Sequence, residues 1–192
     1  MAKLGVGIIG CGWVGEEYIK AFQADARSEV RALVNPSLAR PETYKTRHGL
    51  NCTVSSDAGA MLARDDIDIV VVSTPHDLHT LHVVAAAKAG KHIVIEKPVA
   101  LTLEDVRRQQ HAVREAGTKT VVSFVLHWNP LLMTVDRLLG LQAFGNVFMV
   151  EVDYLHRIWC GSQKWLGSKK QGGSSLLAGG CHAVDALRWF MR

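Results

Sequence analysis

The sequence predicts an α/β protein in which a parallel sheet carries helices on both faces, followed by a smaller α+β region. Short apolar runs alternate with helical patterns along residues 1–125, and this alternation is typical of a parallel sheet. The run IDIVVVS at residues 67–73 has no polar–apolar alternation, which indicates a strand buried on both faces. The regular alternation of short apolar runs and helical patterns stops near residue 126. We therefore predict one domain over residues 1–125 and another over residues 126–192.

The first domain contains the elements of a doubly wound sheet in a regular order. Ser56 or Asp57 caps one predicted helix and Thr102 caps another, because their side-chain oxygens accept backbone N–H groups at a helix start. The predicted strands span residues 3–9, 29–34, 52–54, 67–73, 92–95 and 121–126. The predicted helices span residues 14–24, 41–48, 57–64, 78–89 and 102–116.

The second domain is predicted from four segments. Residues 130–141 have a helical pattern, and residues 146–155 have the composition of a long strand. Residues 156–173 form a polar loop, and residues 175–191 form an amphipathic helix. We detect no internal repeat.

The composition is that of a soluble globular protein, and we expect a cytoplasmic location. The chain is 48% hydrophobic and 21% charged, and no apolar run reaches the roughly 18 residues of a membrane helix. The glycine-rich N-terminus has no cleavage-like site, so it is interpreted as a strand. The net charge of +4 is spread along the chain, which does not favour nucleic-acid binding. Reduced thiols are expected, because no Cys-x-x-Cys pair occurs among Cys11, Cys52, Cys160 and Cys181.

Residues 10–15 match the pattern G-x-G-x-x-G between a predicted strand and a predicted helix, the context of a dinucleotide-binding, Rossmann-type fold. The glycines allow close approach of a pyrophosphate, and the helix start offers N–H groups and a positive dipole end. The alternative is a tight turn without a ligand. Trp13 lies beside the cofactor, or packs on the first helix. The residues expected to bind NAD or NADP here are Gly10, Gly12, Trp13, Val14 and Gly15.

The end of the second strand carries Asn35 where NAD-binding proteins normally have a carboxylate for the ribose hydroxyls. Asparagine can hydrogen-bond a ribose but does not repel a 2′-phosphate. Ser37 and Arg40 lie near enough in sequence to help bind that phosphate. The sequence therefore leaves the choice between NAD and NADP open.

Further residues follow the fourth and fifth strands, at the edge where open parallel sheets bind ligands, and we expect Thr74, Pro75, Glu96 and Lys97 to contact the cofactor. Thr74 and Pro75 end one strand, and Glu96, Lys97 and Pro98 end the other. A charge beside a buried strand costs free energy unless it is paired or functional. We interpret Lys97 as directed at the crevice, with Glu96 orienting it or pairing with it. The alternative is a surface lysine at a strand end.

Two longer stretches resemble the signatures of a known family. VVVSTPHDLHTLHVVAAAKAGKHIVIEKP and SSLLAGGCHAVDALRWF, together with the glycine loop, resemble the Gfo/Idh/MocA oxidoreductases, which include glucose–fructose oxidoreductase and inositol dehydrogenases. The resemblance spans residues 5–190. It implies an NAD(P)-dependent oxidoreductase acting on a secondary alcohol of a sugar, cyclitol or related polyol. It also implies a second domain that binds substrate and builds a homo-oligomer.

The resemblance implies roles for individual residues. Lys97 contacts the reacting hydroxyl or carbonyl, His182 transfers the proton, and Asp185 lies one helical turn further along. These roles suit the chemistry, because an imidazole with a pKa near about 6.5 accepts a proton at neutral pH and an ammonium stabilises an alkoxide. His79 fits the pattern Thr-Pro-x-x-x-His and contacts cofactor or neighbouring backbone.

The chain departs from the family pattern at two positions. Ala178 replaces an Asp that many members carry four residues before the catalytic His, and His127 stands near a position where relatives often have Arg. His127 therefore indicates a different substrate contact, or none. Trp165 either forms one side of a sugar-binding site or packs in the core. We expect no metal, because the three-residue spacing of His76, His79 and His82 does not converge on one ligand set.

Family members are considerably longer than this chain, so the resemblance implies that the α+β substrate domain over residues 126–192 is incomplete. We expect a fragment, a truncated gene product or a degenerate short relative, poorly active alone and prone to associate. Two other functions stay open: a redox-neutral NAD-dependent glycosidase that oxidises a ring carbon transiently, and a non-catalytic nucleotide-binding module.

Overall fold

A computed structural model describes residues 2–155 and 164–191 of the 192-residue chain. The chain divides into two compact units, Met1–Val122 and Ser123–Arg192. Part of the predicted polar loop over residues 156–173 lies outside the described residues, and so do Trp159 and Cys160.

The first unit is built on a six-stranded, fully parallel sheet, which confirms the predicted fold class. The strand order is β3-β2-β1-β4-β5-β6, the order of doubly wound nucleotide-binding sheets, with the topological switch between β1 and β4. The strands are β1 (Leu4–Ile9), β2 (Ser28–Val34), β3 (Thr53–Ser55), β4 (Ile69–Val72), β5 (His92–Ile95) and β6 (Thr120–Val122).

Five helices connect these strands, and two of them have the N-terminal side-chain caps that the sequence predicts. The Asp57 side chain accepts the Ala60 N–H at 3.0 Å, and Thr102 accepts the Asp105 N–H at 3.1 Å. Gly117 adopts a left-handed conformation with φ of 64° at the end of the last helix. The helices are α1 (Trp13–Ala24), α2 (Ala39–Arg47), α3 (Ala58–Leu62), α4 (His79–Lys88) and α5 (Leu103–Ala116).

The sheet is buried on both faces. Val70 and Val72 of β4 belong to one hydrophobic cluster, whereas Val71 belongs to the cluster on the opposite side. None of the three valines has exposed surface. Successive side chains of a strand point to opposite faces, so a strand covered on both sides needs apolar residues at every position.

The sixth strand is shorter than predicted. The apolar pattern indicates a strand over residues 121–126, but β6 ends at Val122 and the chain continues into a 3₁₀ turn over Val125–Trp128. The last pair in this ladder is Ile95 with Val122, and β5 itself ends at Ile95. An edge strand cannot extend beyond the neighbour that supplies its hydrogen bonds.

The second unit, in the residues that the structure describes, contains helices and irregular segments. Helix α6 (Pro130–Gly140) begins where Asn129 accepts the Leu131 N–H at 3.0 Å. A π-helical segment, Leu176–Gly180, leads into α7 (Cys181–Phe190), so the predicted helix over residues 175–191 is present in two parts.

The predicted strand over residues 146–155 is wrong, because these residues are irregular in the structure. A strand needs a hydrogen-bonded neighbour, and the described part of the second unit offers none. None of the helices in residues 2–155 and 164–191 is long and apolar enough to cross a membrane.

Candidate functional site

The glycine loop, residues 10–15, joins β1 to α1 at the carboxyl edge of the sheet. Gly10 has a φ of 97°, and a Cβ there would lie 2.5 Å from the Ser73 carbonyl oxygen. A Cβ on Gly15 would collide with the carbonyl oxygen of Gly10. These two glycines therefore permit the close packing of loop, strand and helix.

Gly12 has a different role in the same loop. Its φ of −77° suits any residue, and a Cβ there would meet nothing within 4 Å. The fold therefore does not require glycine at this position. Because Gly12 has no side chain, the space beside its backbone stays open. A pyrophosphate needs such a space to approach the main chain.

The start of α1 has the features of an anion site. No side chain caps its first amides, which belong to Trp13, Val14 and Gly15. Helices α2 and α4 also lack a side-chain cap, whereas α3, α5 and α6 have one, so the glycine loop beside α1 is what distinguishes this helix start. Uncapped N–H groups and the positive end of the helix dipole favour a phosphate. The Trp13 side chain is 63% exposed, which argues against the alternative that it packs on the first helix.

Asn35 links the glycine loop to the segment that follows β2. Its Oδ1 accepts the Cys11 N–H at 3.1 Å, and its Nδ2 donates to the Ser37 carbonyl at 2.8 Å. A carboxylate could accept the first bond but could not donate the second. The chain therefore uses the asparagine amide as a bridge between two loops.

Cys11 is buried beside this bridge. Burial raises the pKa of its thiol to about 12, and the charge of Arg40 acts in the opposite direction. The thiol therefore stays protonated, and Arg40 lies within electrostatic reach of the glycine loop. The three cysteines in the described residues, Cys11, Cys52 and Cys181, form no disulfide.

The Glu96 carboxylate is held by a residue that sequence reasoning missed. The Tyr18 hydroxyl of α1 donates to Glu96 Oε1 at 2.7 Å. The contact fastens the helix that starts at the glycine loop to the end of β5. Lys97 follows and is half-buried. Tyr18 lies one turn beyond Gly15 on a partly exposed face of α1, so the sequence gives no signal for it.

His79 lies beneath the two loops that follow β4 and β5. The ring is fully buried, with Nδ1 at 2.9 Å from the Pro98 carbonyl and Nε2 at 3.0 Å from the Thr74 carbonyl. Burial lowers the pKa of His79, and the neighbouring carbonyls of Pro98, Thr74 and Val99 oppose that shift. The geometry favours the backbone alternative for His79 over direct contact with cofactor.

No metal-binding cluster is formed by the His, Cys, Asp and Glu side chains of residues 2–155 and 164–191. His76 and His79 lie close together, with ring centroids 5.6 Å apart. Both ring nitrogens of His79 lie at carbonyl oxygens, so this ring is engaged with the backbone.

In the second unit, His182 and Asp185 both lie on α7 but have different neighbours. His182 is buried beside the Phe124 and Tyr154 rings, with centroid distances of 5.9 and 5.1 Å. The Asp185 carboxylate lies 2.7 Å from Nε2 of His127. The structure thus pairs two residues that the sequence suggests only separately as substrate contacts.

The His127 ring is supported by Trp189, with centroids 4.2 Å apart and planes 21° from parallel. Ala178 lies in the π-helical segment that precedes α7. Trp165 is half-buried in a short 3₁₀ turn, Lys164–Gly167. His127 and Asp185 therefore form a hydrogen-bonded pair, and Trp189 stacks on its imidazole ring.

Comparison with known proteins agrees with this geometry. The model of an oxidoreductase family with an NAD-binding Rossmann fold, Gfo/Idh/MocA, matches residues 4–124. The C-terminal domain model of the same family matches residues 132–192. Together these matches include nearly all of the chain.

Individual curated relatives align with most or all of the chain. A levoglucosan dehydrogenase from Pseudarthrobacter phenanthrenivorans is 29% identical over 206 residues, which cover 100% of this chain and 52% of the relative. An inositol 2-dehydrogenase from Rhizobium meliloti is 32% identical over 146 residues, which cover 76% of this chain and 43% of the relative. The chain spans about half the length of these curated relatives.

A similar solved structure is that of the WlbA dehydrogenase from Bordetella pertussis in complex with NADH and UDP-GlcNAcA. It superposes with a TM-score of 0.89 at 27% identity, over 98% of this chain and 55% of that one. The family model of the NAD-binding domain alone matches more than half of the chain, and the sheet order and glycine loop agree with it. The chain therefore belongs to the Gfo/Idh/MocA family of oxidoreductases.

Proposed function

We propose that the chain acts as an NAD(P)-dependent oxidoreductase that moves hydride between the nicotinamide and a secondary alcohol of a sugar, cyclitol or related polyol. One observation carries the cofactor part: the open space at Gly12 beside the uncapped start of α1. The substrate class is supported by relatives named levoglucosan dehydrogenase and inositol 2-dehydrogenase.

Two residues are proposed to do the chemistry. The nicotinamide, when bound, takes or gives the hydride. The Lys97 ammonium is suited to stabilise the charge that develops on the alcohol oxygen, since it follows β5 at the ligand-binding edge of the sheet. His182 is suited to accept the hydroxyl proton, because an imidazole nitrogen is a base near neutral pH. The Phe124 and Tyr154 rings hold its position.

His127 and Asp185 are proposed to contact the substrate as a hydrogen-bonded pair. Their side chains are 37% and 21% exposed, so both combine a fixed position with access to solvent. With the Nε2–H of the neutral imidazole directed at the carboxylate, the pair offers Nδ1 of His127 and the carboxylate oxygens as acceptors, which suits the O–H groups of a polyol. That Trp165 forms one wall of the sugar-binding site remains a prediction.

We also propose a cytoplasmic location. In the described residues, Cys11, Cys52 and Cys181 form no disulfide, which suits a reducing compartment.

The catalytic assignment predicts that Lys97→Met and His182→Asn each lower kcat at least about a hundredfold, since a positioned acid–base group typically contributes about 10²–10⁴. The measurement is the absorbance of reduced nicotinamide during oxidation of inositol and simple sugars. Matched controls are Lys88→Met and His111→Asn, which replace the same residue types at exposed positions outside the site.

Other outcomes of this assay separate the alternatives. Activity that survives both site variants would contradict the assignment. Cofactor binding without turnover in the unmodified chain would favour a nucleotide-binding module, which the absence of a carboxylate at Ala178 also favours. Cleavage of a glycoside without net formation of reduced cofactor would favour the glycosidase.

The cofactor site predicts that Gly12→Asp lowers NAD(P) affinity at least about tenfold, because a carboxylate would occupy the space and repel the pyrophosphate. Calorimetric titration measures the affinity, and thermal unfolding should show an unchanged fold, since a Cβ meets nothing there. Gly12→Asn is the matched control, with the same size and no charge, and it should lose less affinity. Equal affinities for wild type and Gly12→Asp would exclude this site.

The Asn35 environment predicts weak discrimination between the two cofactors. No charge at position 35 repels a 2′-phosphate, and Arg40 lies within electrostatic reach of the glycine loop. The dissociation constants of NAD and NADP should agree within about tenfold, or on the order of 1.4 kcal/mol. In Asn35→Asp the NADP affinity should fall relative to NAD. A strong preference for NAD in the wild type would show that another group rejects the phosphate.

The partner is proposed to be a second copy of the chain, bound through the apolar segment, residues 144–155. Phe148 and Leu155 are 92% and 94% exposed, and Met149 is also exposed. The sequence FMVEVDY has part of the alternation of a strand, and no strand of the described residues includes it. A stretch with exposed apolar side chains and this pattern is suited to pair with a strand of another molecule.

Association is therefore expected in light scattering at micromolar concentration, with a mass of a dimer or more. Phe148→Glu should weaken the association at least about tenfold, because it places a charge in the contact. Leu103→Glu is the control, since Leu103 is 75% exposed in the first unit. A monodisperse wild-type monomer would contradict the proposal.

A further inference from the structure

The turn that carries Lys97 is held by two buried polar side chains that the proposed chemistry does not use. Nδ1 of His79 lies 2.9 Å from the Pro98 carbonyl, and Nε2 of Gln109 donates to the Val99 carbonyl at 2.9 Å. These are the first two carbonyls after Lys97. We infer that His79 and Gln109 form a clamp, named here the carbonyl clamp, that fixes the position of Lys97 without touching substrate.

Burial makes the clamp effective. His79 is fully buried and Gln109 is 4% exposed, so water has little access to replace either side chain. A buried donor that loses its acceptor bears the cost of desolvation, so movement of the turn away from these two side chains is penalised. The turn itself is irregular and is not part of a ladder that would fix it.

Both side chains stand on helices that pack together. His79 is the first residue of α4, and Gln109 lies in the middle of α5. Gln109 Nε2 also donates to Thr80 Oγ1 at 2.8 Å, which joins the two helices directly beneath the turn. A group held from rigid helices is placed more accurately than one held by a loop.

The two members of the clamp differ in what they can donate. The Gln109 amide has two N–H groups, and Val99 and Thr80 accept both. A neutral imidazole has a single N–H, and burial lowers the pKa of His79, so its ring donates to Pro98 or to Thr74. Gln109 is therefore the fixed contact, whereas His79 couples the turn to the loop after β4.

Gln109 was not singled out by the sequence, although a signal exists. It falls three residues after Val106 and four before Val113, so it occupies the inner face of an amphipathic helix. A polar residue at such a position needs a buried partner. The sequence does not say which one, because the partner is a carbonyl ten residues away on the other side of a helix start.

The clamp is tested first on the full chain by hydrogen exchange and mass spectrometry of residues 96–101. Gln109→Met keeps the volume and removes the donor, and exchange in this segment should become at least about tenfold faster. Gln110→Met is the matched control, because the neighbouring glutamine is exposed. Equal exchange in wild type and Gln109→Met would overturn the clamp.

A second variant guards against a general loss of folding. Gln109→Glu has the same shape, but it can donate to Val99 only when the carboxyl is protonated. Exchange in residues 96–101, compared with wild type at each pH, should return towards the wild-type rate as the pH falls. Faster exchange at every pH, in every segment, would show that the variants simply unfold and would overturn the specific role.

The link to Lys97 rests on the proposed function and has its own measurement. In Gln109→Met, kcat should fall at least about tenfold while the dissociation constant for cofactor stays within about twofold, because the amide does not line the glycine loop. An unchanged kcat, with Lys97→Met inactive, would overturn the positioning role. Full activity of Lys97→Met would instead refute the catalytic role of the lysine, and the exchange result would still decide the clamp.

Discussion

The pairing of three strand ends governs where chemistry can occur in this protein. Ile9 pairs with Val72, and Val72 pairs with Ile95, so β1, β4 and β5 stop at the same level. The residues that follow are therefore adjacent: the glycine loop, the Thr74–Pro75 step and the turn that carries Lys97. Parallel strands that share one register bring segments distant in sequence to a single edge.

Polar bridges then connect loops that the sheet only brings close. Asn35 joins the glycine loop to the segment after β2, and Tyr18 joins α1 to Glu96. His79 lies between the loops that follow β4 and β5. Each bridge uses a buried or half-buried side chain and a short hydrogen bond. The crevice therefore has a defined shape before any ligand is bound, which reduces the entropy that binding must overcome.

The sequence predicts local features of this chain and misses contacts made over long distances. The β4 run, the Thr102 cap and the glycine loop are visible because each depends on neighbours in sequence. The strand predicted over residues 146–155 is absent because pairing needs a neighbour, which composition does not supply. Tyr18, Gln109 and the His127–Asp185 pair were not predicted, since their partners lie 78, 10 and 58 residues away.

The open space at Gly12 separates the requirement for folding from the requirement for binding. Gly10 and Gly15 are needed by the packed backbone, so their replacement would expose the chain to proteolysis and remove the damaged molecule from the cell. A side chain at Gly12 carries no such penalty. A gene altered at that codon would yield a well-folded, long-lived subunit unable to hold its ligand. In an assembly, such a subunit would persist beside normal copies and dilute their activity.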